Sequence, residues 1–334
     1  MSKSGFNLSL ICACGVAIAM SVLIGACSGT QNIDTGDPKT IARMDHAMVE
    51  YASLDSAGRD SVRHVYDAPL SLLFAIGGRG EVTDSAVCVY SASRGVRMFT
   101  AAVDSLLPDL DSVQSVLGIV DGRFASLLPK ARIDSIYAVV SPYNQSIFTS
   151  GSMMLVGLNH YFGAGFDGYS NFEPYQRLNK RVGQLPYDMV EAAVASAYPM
   201  VDMQEGTVLQ HLLYQGALIE AKMQLVPDAT EAEALGYTPA QYEWMVANEA
   251  PAWDALISRN LLYSTSATDA ERLIRPSPAT TILHPASPGR AGRYIGHRIV
   301  RSYLESHPDT SLEYLLSPGF YAGQQTLVDA SYAP

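Results

Sequence analysis

The order of signals along this chain predicts an α+β fold, rich in helix and built around a small central β-sheet. Three observations predict it. Runs of branched and aromatic residues bounded by turn formers are confined to the middle of the chain, at about 133–162. Apolar residues at helical spacing occupy the segments before and after that stretch. The length, 334 residues with 48% hydrophobic and 16% charged, suffices for one sizeable core. Strands in the middle with helices on either side are the signature of segregated elements and not of alternating βα units.

Taken in order, Ile41, Met44, Ala47 and Met48 predict a helix over 41–52. Asp67-Ala68-Pro69 breaks the next segment, and 70–76 reads as a short apolar helix ending at Gly77-Gly78. Cys88, in Ala86-Val87-Cys88-Val89-Tyr90, reads as a small buried hydrophobe on a strand or short apolar run. Over 104–120, Leu106, Leu110, Val113, Leu117 and Val120 predict one amphipathic helix with Pro108 in its first turn. Strands are expected at 133–140, 146–148 and 153–162, around Pro142-Tyr143-Asn144 and Gly151. After Pro186 the helical period returns at 188–197, 208–225, 239–248, 252–262 and 290–304. Thr238-Pro239-Ala240-Gln241 is a helix start, with Thr as cap, Pro at the first helical position and Gln reaching back.

Charge and the first residues narrow the function classes. With 22 bases against 33 acids the net charge is −11, which disfavours non-specific binding to nucleic acid or to an anionic lipid surface. The first 26 residues carry one base, Lys3, an apolar stretch from about Leu8 to Ile24, and the ending Gly25-Ala26-Cys27. That is the plan of a secretory signal. Leu23-Ile24-Gly25-Ala26-Cys27 resembles the lipobox of bacterial lipoproteins, which implies a signal peptide over 1–26 and a lipid on the Cys27 sulfur. A retained signal-anchor helix is the alternative. Small polar residues from Ser28 predict a flexible tether over 27–40, followed by one domain over 41–334. Cleavage would remove Cys12 and Cys14 and leave Cys88 as the sole free thiol, so no internal disulfide is expected. The absence of an acidic run after Cys27 favours an outer-membrane lipoprotein facing the periplasm over one on the cell surface.

Beyond residue 150 the sequence resembles the lipoprotein GldB of gliding bacteria. The residues that carry the likeness are Leu155-Val156-Gly157-Leu158-Asn159-His160-Tyr161-Phe162-Gly163, Gly236-Tyr237-Thr238, Trp244 through Glu249, Trp253 and Leu261-Leu262-Tyr263-Ser264. Ser287-Pro288-Gly289-Arg290, Gly296, Ile299-Val300-Arg301-Ser302-Tyr303 and the closing Ser331-Tyr332-Ala333-Pro334 extend it. The likeness covers roughly 100–334 and, more faintly, 41–45; the order of the segments carries it more than any single motif. It implies a lipid-anchored cell-envelope protein tied to gliding motility and the associated secretion apparatus, with a zincin-like body similar to zinc peptidases. In such peptidases His-Glu-x-x-His places two imidazoles one turn apart with Glu as base. The corresponding stretch here, His211-Leu212-Leu213-Tyr214-Gln215, has Leu212 where the base would be and the neutral amide of Gln215 as second ligand. Water activation at neutral pH needs both polarisation and a base, so the expectation is a degenerate, non-catalytic site with no metal and no cofactor. The alternative is a hydrolase with an atypical metal site using His211 and His160.

Two further features are candidates for partner binding. Arg290, Arg293, His297 and Arg301 fall in one sector of the helix expected at 290–304, opposite Ile295, Ile299, Val300 and Tyr303. That basic stripe suits either an acidic partner or a solvated face paired with nearby acids. The rings of Tyr161, Phe162, Phe166, Tyr169, Phe172 and Tyr175 could form a platform for glycan or peptide, centred on Tyr169 and Phe172, or could pin their own loop to the body. Gly163-Ala164-Gly165-Phe166-Asp167-Gly168 matches the dinucleotide fingerprint, but no helix opens directly after it, so no nucleotide is expected. Envelope proteins and the membrane, through Cys27, are the expected partners.

Overall fold

The computed structural model describes residues 36–334 except Asp202; the expected signal peptide, Cys27 and most of the expected tether lie outside the described residues. In chain order the elements are β1 (Ile41–Ala42), α1 (Met44–Tyr51), α2 (Ser56–Val65), α3 (Asp67–Ile76), α4 (Asp84–Ala92), α5 (Arg94–Leu106), α6 (Asp111–Leu127), β2 (Ser135–Val139), β3 (Ile147–Ser150) and β4 (Met153–Gly157). Then follow α7 (Pro174–Arg177), α8 (Leu185–Ala197), α9 (Val208–Leu225), α10 (Glu231–Leu235), α11 (Pro239–Ala247), α12 (Glu249–Ser258), α13 (Ala267–Ile274) and α14 (Ala291–Ser306). Three short helices, α15 (Leu312–Leu315), α16 (Pro318–Tyr321) and α17 (Thr326–Ala330), close the chain. This is the helix-rich α+β fold with a small sheet.

The sheet runs β1-β2-β4-β3, with β1 and β2 parallel, β2 and β4 parallel, and β3 antiparallel to β4. Side chains alternate across it because successive strand residues point to opposite faces. Ile136, Ala138, Met154, Val156 and Ile147 enter a core shared with α6, α8, α9 and α14. Val139 and Leu155 enter a second core formed by α1, α3, α4 and α5, where Met44, Met48, Tyr51, Leu73 and Phe74 are buried. One sheet thus serves as the common wall of two apolar cores.

Four expectations change. The helix expected over 41–52 begins only at Met44, because Ile41 and Ala42 pair with Ile136 and Tyr137 as a strand. The helix expected over 104–120 is two: Leu107 precedes Pro108 and leaves the α region (φ −129°, ψ 54°), as a residue before proline is pressed to do. Asp109 Oδ1 then accepts from Asp111 N at 2.7 Å and starts α6. Cys88 sits half-buried on helix α4, not on a strand; Thr83 caps that helix by accepting from Ala86 N. The strand expected to reach Phe162 stops at Gly157, since Asn159 turns back to bond Ser141 N at 3.1 Å and Ser141 O at 3.0 Å. The start at Thr238 is as expected, with Thr238 Oγ1 accepting from Gln241 N and Gln241 Oε1 from Thr238 N.

Helices α9 and α14 form the spine of the larger core. They meet where Gly216 and Gly296 oppose each other, each lying against the other helix's backbone. Gly292 lies likewise against the Leu212 side chain. That approach determines which side chains of α14 point inward.

Candidate functional site: a charged cleft beside α9 and α14

Helix α9 is buried nearly all round, yet it contains Glu220 and Lys222, each about 2% exposed. A buried charge needs a partner, and both have one. Lys222 Nζ donates to Glu191 Oε2 of α8 at 2.7 Å, and Arg293 Nη2 of α14 donates to the same oxygen at 2.7 Å. Glu191 is therefore a carboxylate bridge between two cations on two helices. Burial pushes its pKa up, but Arg293 and Lys222 outweigh that and hold it well below the usual carboxylate range. The Lys222 ammonium falls to about 8, chiefly through burial and against the pull of Glu191.

These groups wall a cleft of about 490 Å³. One side is the approach to β3, with Gln145, Ser146 and Ile147; the floor is α8, with Asp188, Glu191, Ala192 and Ala195. Gln215 and Lys222 come from α9, Arg290 and Arg293 from the start of α14, and Ile274, Arg275 and Pro276 from the end of α13. Burial drives the Asp188 carboxyl up to about 6, although Tyr161 donates its hydroxyl to Asp188 Oδ2 at 3.0 Å. Arg290 caps α14 in the left-handed region, φ 63°, which is uncommon for a side-chain-bearing residue. Its Nη2 donates to Gly236 O at 3.0 Å, and it has no ion-pair partner among the described residues.

The sequence places Arg290, Arg293, His297 and Arg301 on one face, and the structure turns most of that face inward. Arg293 and His297 are 6% and 2% exposed, and Arg301 alone is half exposed, 3.6 Å from Glu220. His297 is clasped between two carboxylates, Nδ1 2.6 Å from Glu231 Oε1 and Nε2 3.0 Å from Glu220 Oε2. Burial lowers its pKa, but the two glutamates outweigh that and the net shift is upward; with a carboxylate oxygen facing each ring nitrogen, the arrangement favours the doubly protonated ring. The pairing with nearby acids is as expected, with Glu191, Glu220 and Glu231 of the same chain, but Arg293 and His297 are buried instead of lying on a solvated face. The packing reason is the Gly216–Gly296 approach, which faces this sector into α9.

The peptidase-like residues are dispersed. His211 is buried beside Gly206 and does not line the cleft, and burial lowers its pKa. Leu212 is fully buried against Gly292 of α14. Of the degenerate motif only Gln215 opens on the cleft. His160 lies in another cluster: its Nδ1 meets Lys180 Nζ at 3.0 Å and its Nε2 faces Ser141 Oγ at 3.1 Å and Pro142 O at 3.0 Å. An ammonium donates only, so Nδ1 accepts and Nε2 bears the proton. Burial, then Lys180, lowers the His160 pKa to about 3. Among the described residues no three His, Cys, Asp or Glu side chains are arranged to share a metal ion.

The aromatic loop folds onto the same Lys180. Its ammonium stands 4.6 Å from the Phe172 ring centre, 5.1 Å from Tyr169 and 5.7 Å from Tyr143. Tyr169 is fully buried and donates its hydroxyl to Asn159 O at 2.6 Å. The rings form a cation–π cage around a side chain of their own chain, and Tyr169 presents no face to solvent, so a platform centred on it is corrected to a pinned loop.

Glu191, Lys222 and Asp188 were not among the residues singled out from sequence. The available signal was Glu220 and Lys222 within a helix apolar on every other side, which demands acid and base partners elsewhere.

A family model described as gliding motility protein GldB matches residues 29–334. No curated protein and no solved structure matches the chain.

Proposed function

Since the chain belongs to the gliding motility GldB family, we propose that it is a non-catalytic, lipid-anchored envelope protein that acts by contacting other proteins. Membership makes it a gliding-motility-associated lipoprotein of the cell envelope. The finer reading is ours: acylation at Cys27 after removal of 1–26, a tether, one domain to residue 334, and an outer-membrane position facing the periplasm. One observation carries the non-catalytic part. From α9 the cleft is lined by Gln215, whose polar group is an amide, and by Lys222, whose ammonium is committed to Glu191, while position 212 is an apolar side chain sealed under α14. An amide and a paired ammonium supply neither a base nor an anionic ligand for water activation.

Cross-linking in the native envelope tests the contact reading, and the expected result is a defined set of protein adducts lost when Cys27→Ala releases the chain from the membrane. Purified protein that cleaves casein and stops on addition of EDTA would overturn the non-catalytic reading.

A further inference from the structure

The cleft is positively charged in a negatively charged protein. Its wall carries Lys222, Arg275, Arg290 and Arg293 against two carboxylates, Asp188 and Glu191, whereas the whole chain has 22 bases and 33 acids. Glu191 is already committed to Lys222 and Arg293. Two cationic groups remain undersatisfied. Arg293 is only 6% exposed, and its Nε has no acceptor; a buried donor without an acceptor is destabilising. Arg290 lines the cleft without an ion-pair partner among the described residues, from a left-handed backbone conformation that such residues keep only where the surroundings impose it.

We propose that this cleft binds an acidic peptide segment of a partner protein, with a ligand carboxylate held by Arg290 and Arg293. Carboxylate is the chemistry these cations already display, since one Glu191 oxygen spans Lys222 and Arg293 at 2.7 Å each. Peptide is favoured by the rest of the lining. Gln215 makes no side-chain hydrogen bond among the described residues and offers its amide to a main chain, whereas Gln145 and Gln184 already bond Ile147 O and Glu233 O. Ile147, Ala192, Leu235 and Ile274 add apolar wall. A volume of about 490 Å³ is that of a small-ligand site and accommodates a few residues. The remaining surface of an acidic protein repels an acidic peptide, so the local field also selects the site.

The inference rests on the contact reading above and names the chemistry of one contact. Its test is fluorescence anisotropy with full-length protein in detergent and three labelled pentapeptides: Gly-Ser-Glu-Asp-Glu amide, Gly-Ser-Ala-Gly-Ala free acid, and the amide of the latter. Binding of the first (acidic side chains) or the second (terminal carboxylate), weakened at least tenfold by both Arg290→Gln and Gln215→Glu, is expected; the two arms tell which carboxylate is read. Equal binding of all three peptides, or unchanged affinity in both variants, would overturn it. So would displacement of the acidic peptide by inorganic phosphate but not by acetate at equal ionic strength. The two readings fail separately. Peptide binding without envelope adducts overturns only the contact reading. Adducts formed equally by wild type and Arg290→Gln, with no peptide bound, overturn only the cleft.

Discussion

Replacing Gly296 with alanine tests the closest approach in the fold. A Cβ there would sit on the Leu212 carbonyl, 2.6 Å from its carbon. Neither atom belongs to a flexible side chain, so rotamers offer no relief; bringing the carbon alone to an ordinary contact of about 3.5 Å takes a retreat of roughly 0.9 Å, and the carbonyl oxygen, nearer still, demands more. A movement of that size or more stretches the bond between His297 Nε2 and Glu220 Oε2 from 3.0 Å to at least about 3.9 Å, beyond hydrogen-bond length. Overpacking alone is destabilising by about 1–3 kcal/mol, and weakening a buried ion pair adds up to a few more. The better helix propensity of alanine returns about 1 kcal/mol. The net loss is about 2–4 kcal/mol, which at roughly 2 °C per kcal/mol lowers the melting temperature by about 4–8 °C. Thermal unfolding followed by circular dichroism measures it. Gly95→Ala is the control of opposite sign: its Cβ meets nothing within 4 Å, and a gain of about 0.5 kcal/mol is expected. Gly296→Ala melting at or above the wild-type temperature would refute the argument from backbone contact.

Three other perturbations follow from the buried charges. His297 has a raised pKa in the folded state, so its stabilisation is complete below about 6.5, its unfolded value, and is lost as pH rises through the folded one. The difference in urea midpoint between wild type and His297→Gln should therefore be largest near pH 6 and shrink toward pH 9; a constant difference would argue against an imidazolium. Glu191→Gln leaves Lys222 and Arg293 without their shared carboxylate and should lower stability by about 2–4 kcal/mol in urea titrations, the glutamate side chain being 29% exposed; a loss below about 0.5 kcal/mol would mean the bridge is solvated. Phe172→Ala opens the cage nearest Lys180 and should cost about 2 kcal/mol in packing and cation–π attraction. Unchanged stability together with loss of glycan binding on an array would instead restore the platform reading.

What was legible in the sequence was what is locally encoded. The α11 start at Thr238-Pro239-Ala240-Gln241 is written in four residues and appears with both reciprocal bonds. Helix α9 shows its apolar period over 18 residues and is found at the expected boundaries. Strand β1 was illegible because two residues carry no period; Ile41 becomes a strand only through Ile136, far along the chain. The basic sector of α14 is subtler. Angular spacing correctly put Arg290, Arg293 and His297 together, but periodicity names a face without saying which way it points. The acids that draw it inward sit on three other helices, at Glu191, Glu220 and Glu231, and nothing local links them. Likewise Lys180 lies outside the aromatic run whose rings enclose it, so ring spacing alone left a platform and a pinned loop both open, and the occupant that pins the loop was not legible.

The way the chain enters its fold bears on how a pull from the membrane side would be shared. Gly36 and Asp37 lie against the Gly118 backbone, Lys39 N donates to Gln114 O at 2.8 Å, and Ile41 N donates to the Gln114 side chain at 3.0 Å. Tension arriving through residue 36 is therefore taken up first by α6 in the larger core, ahead of the two-residue strand β1. The helices α1 to α5 lie downstream of that clamp and stay unloaded until it slips.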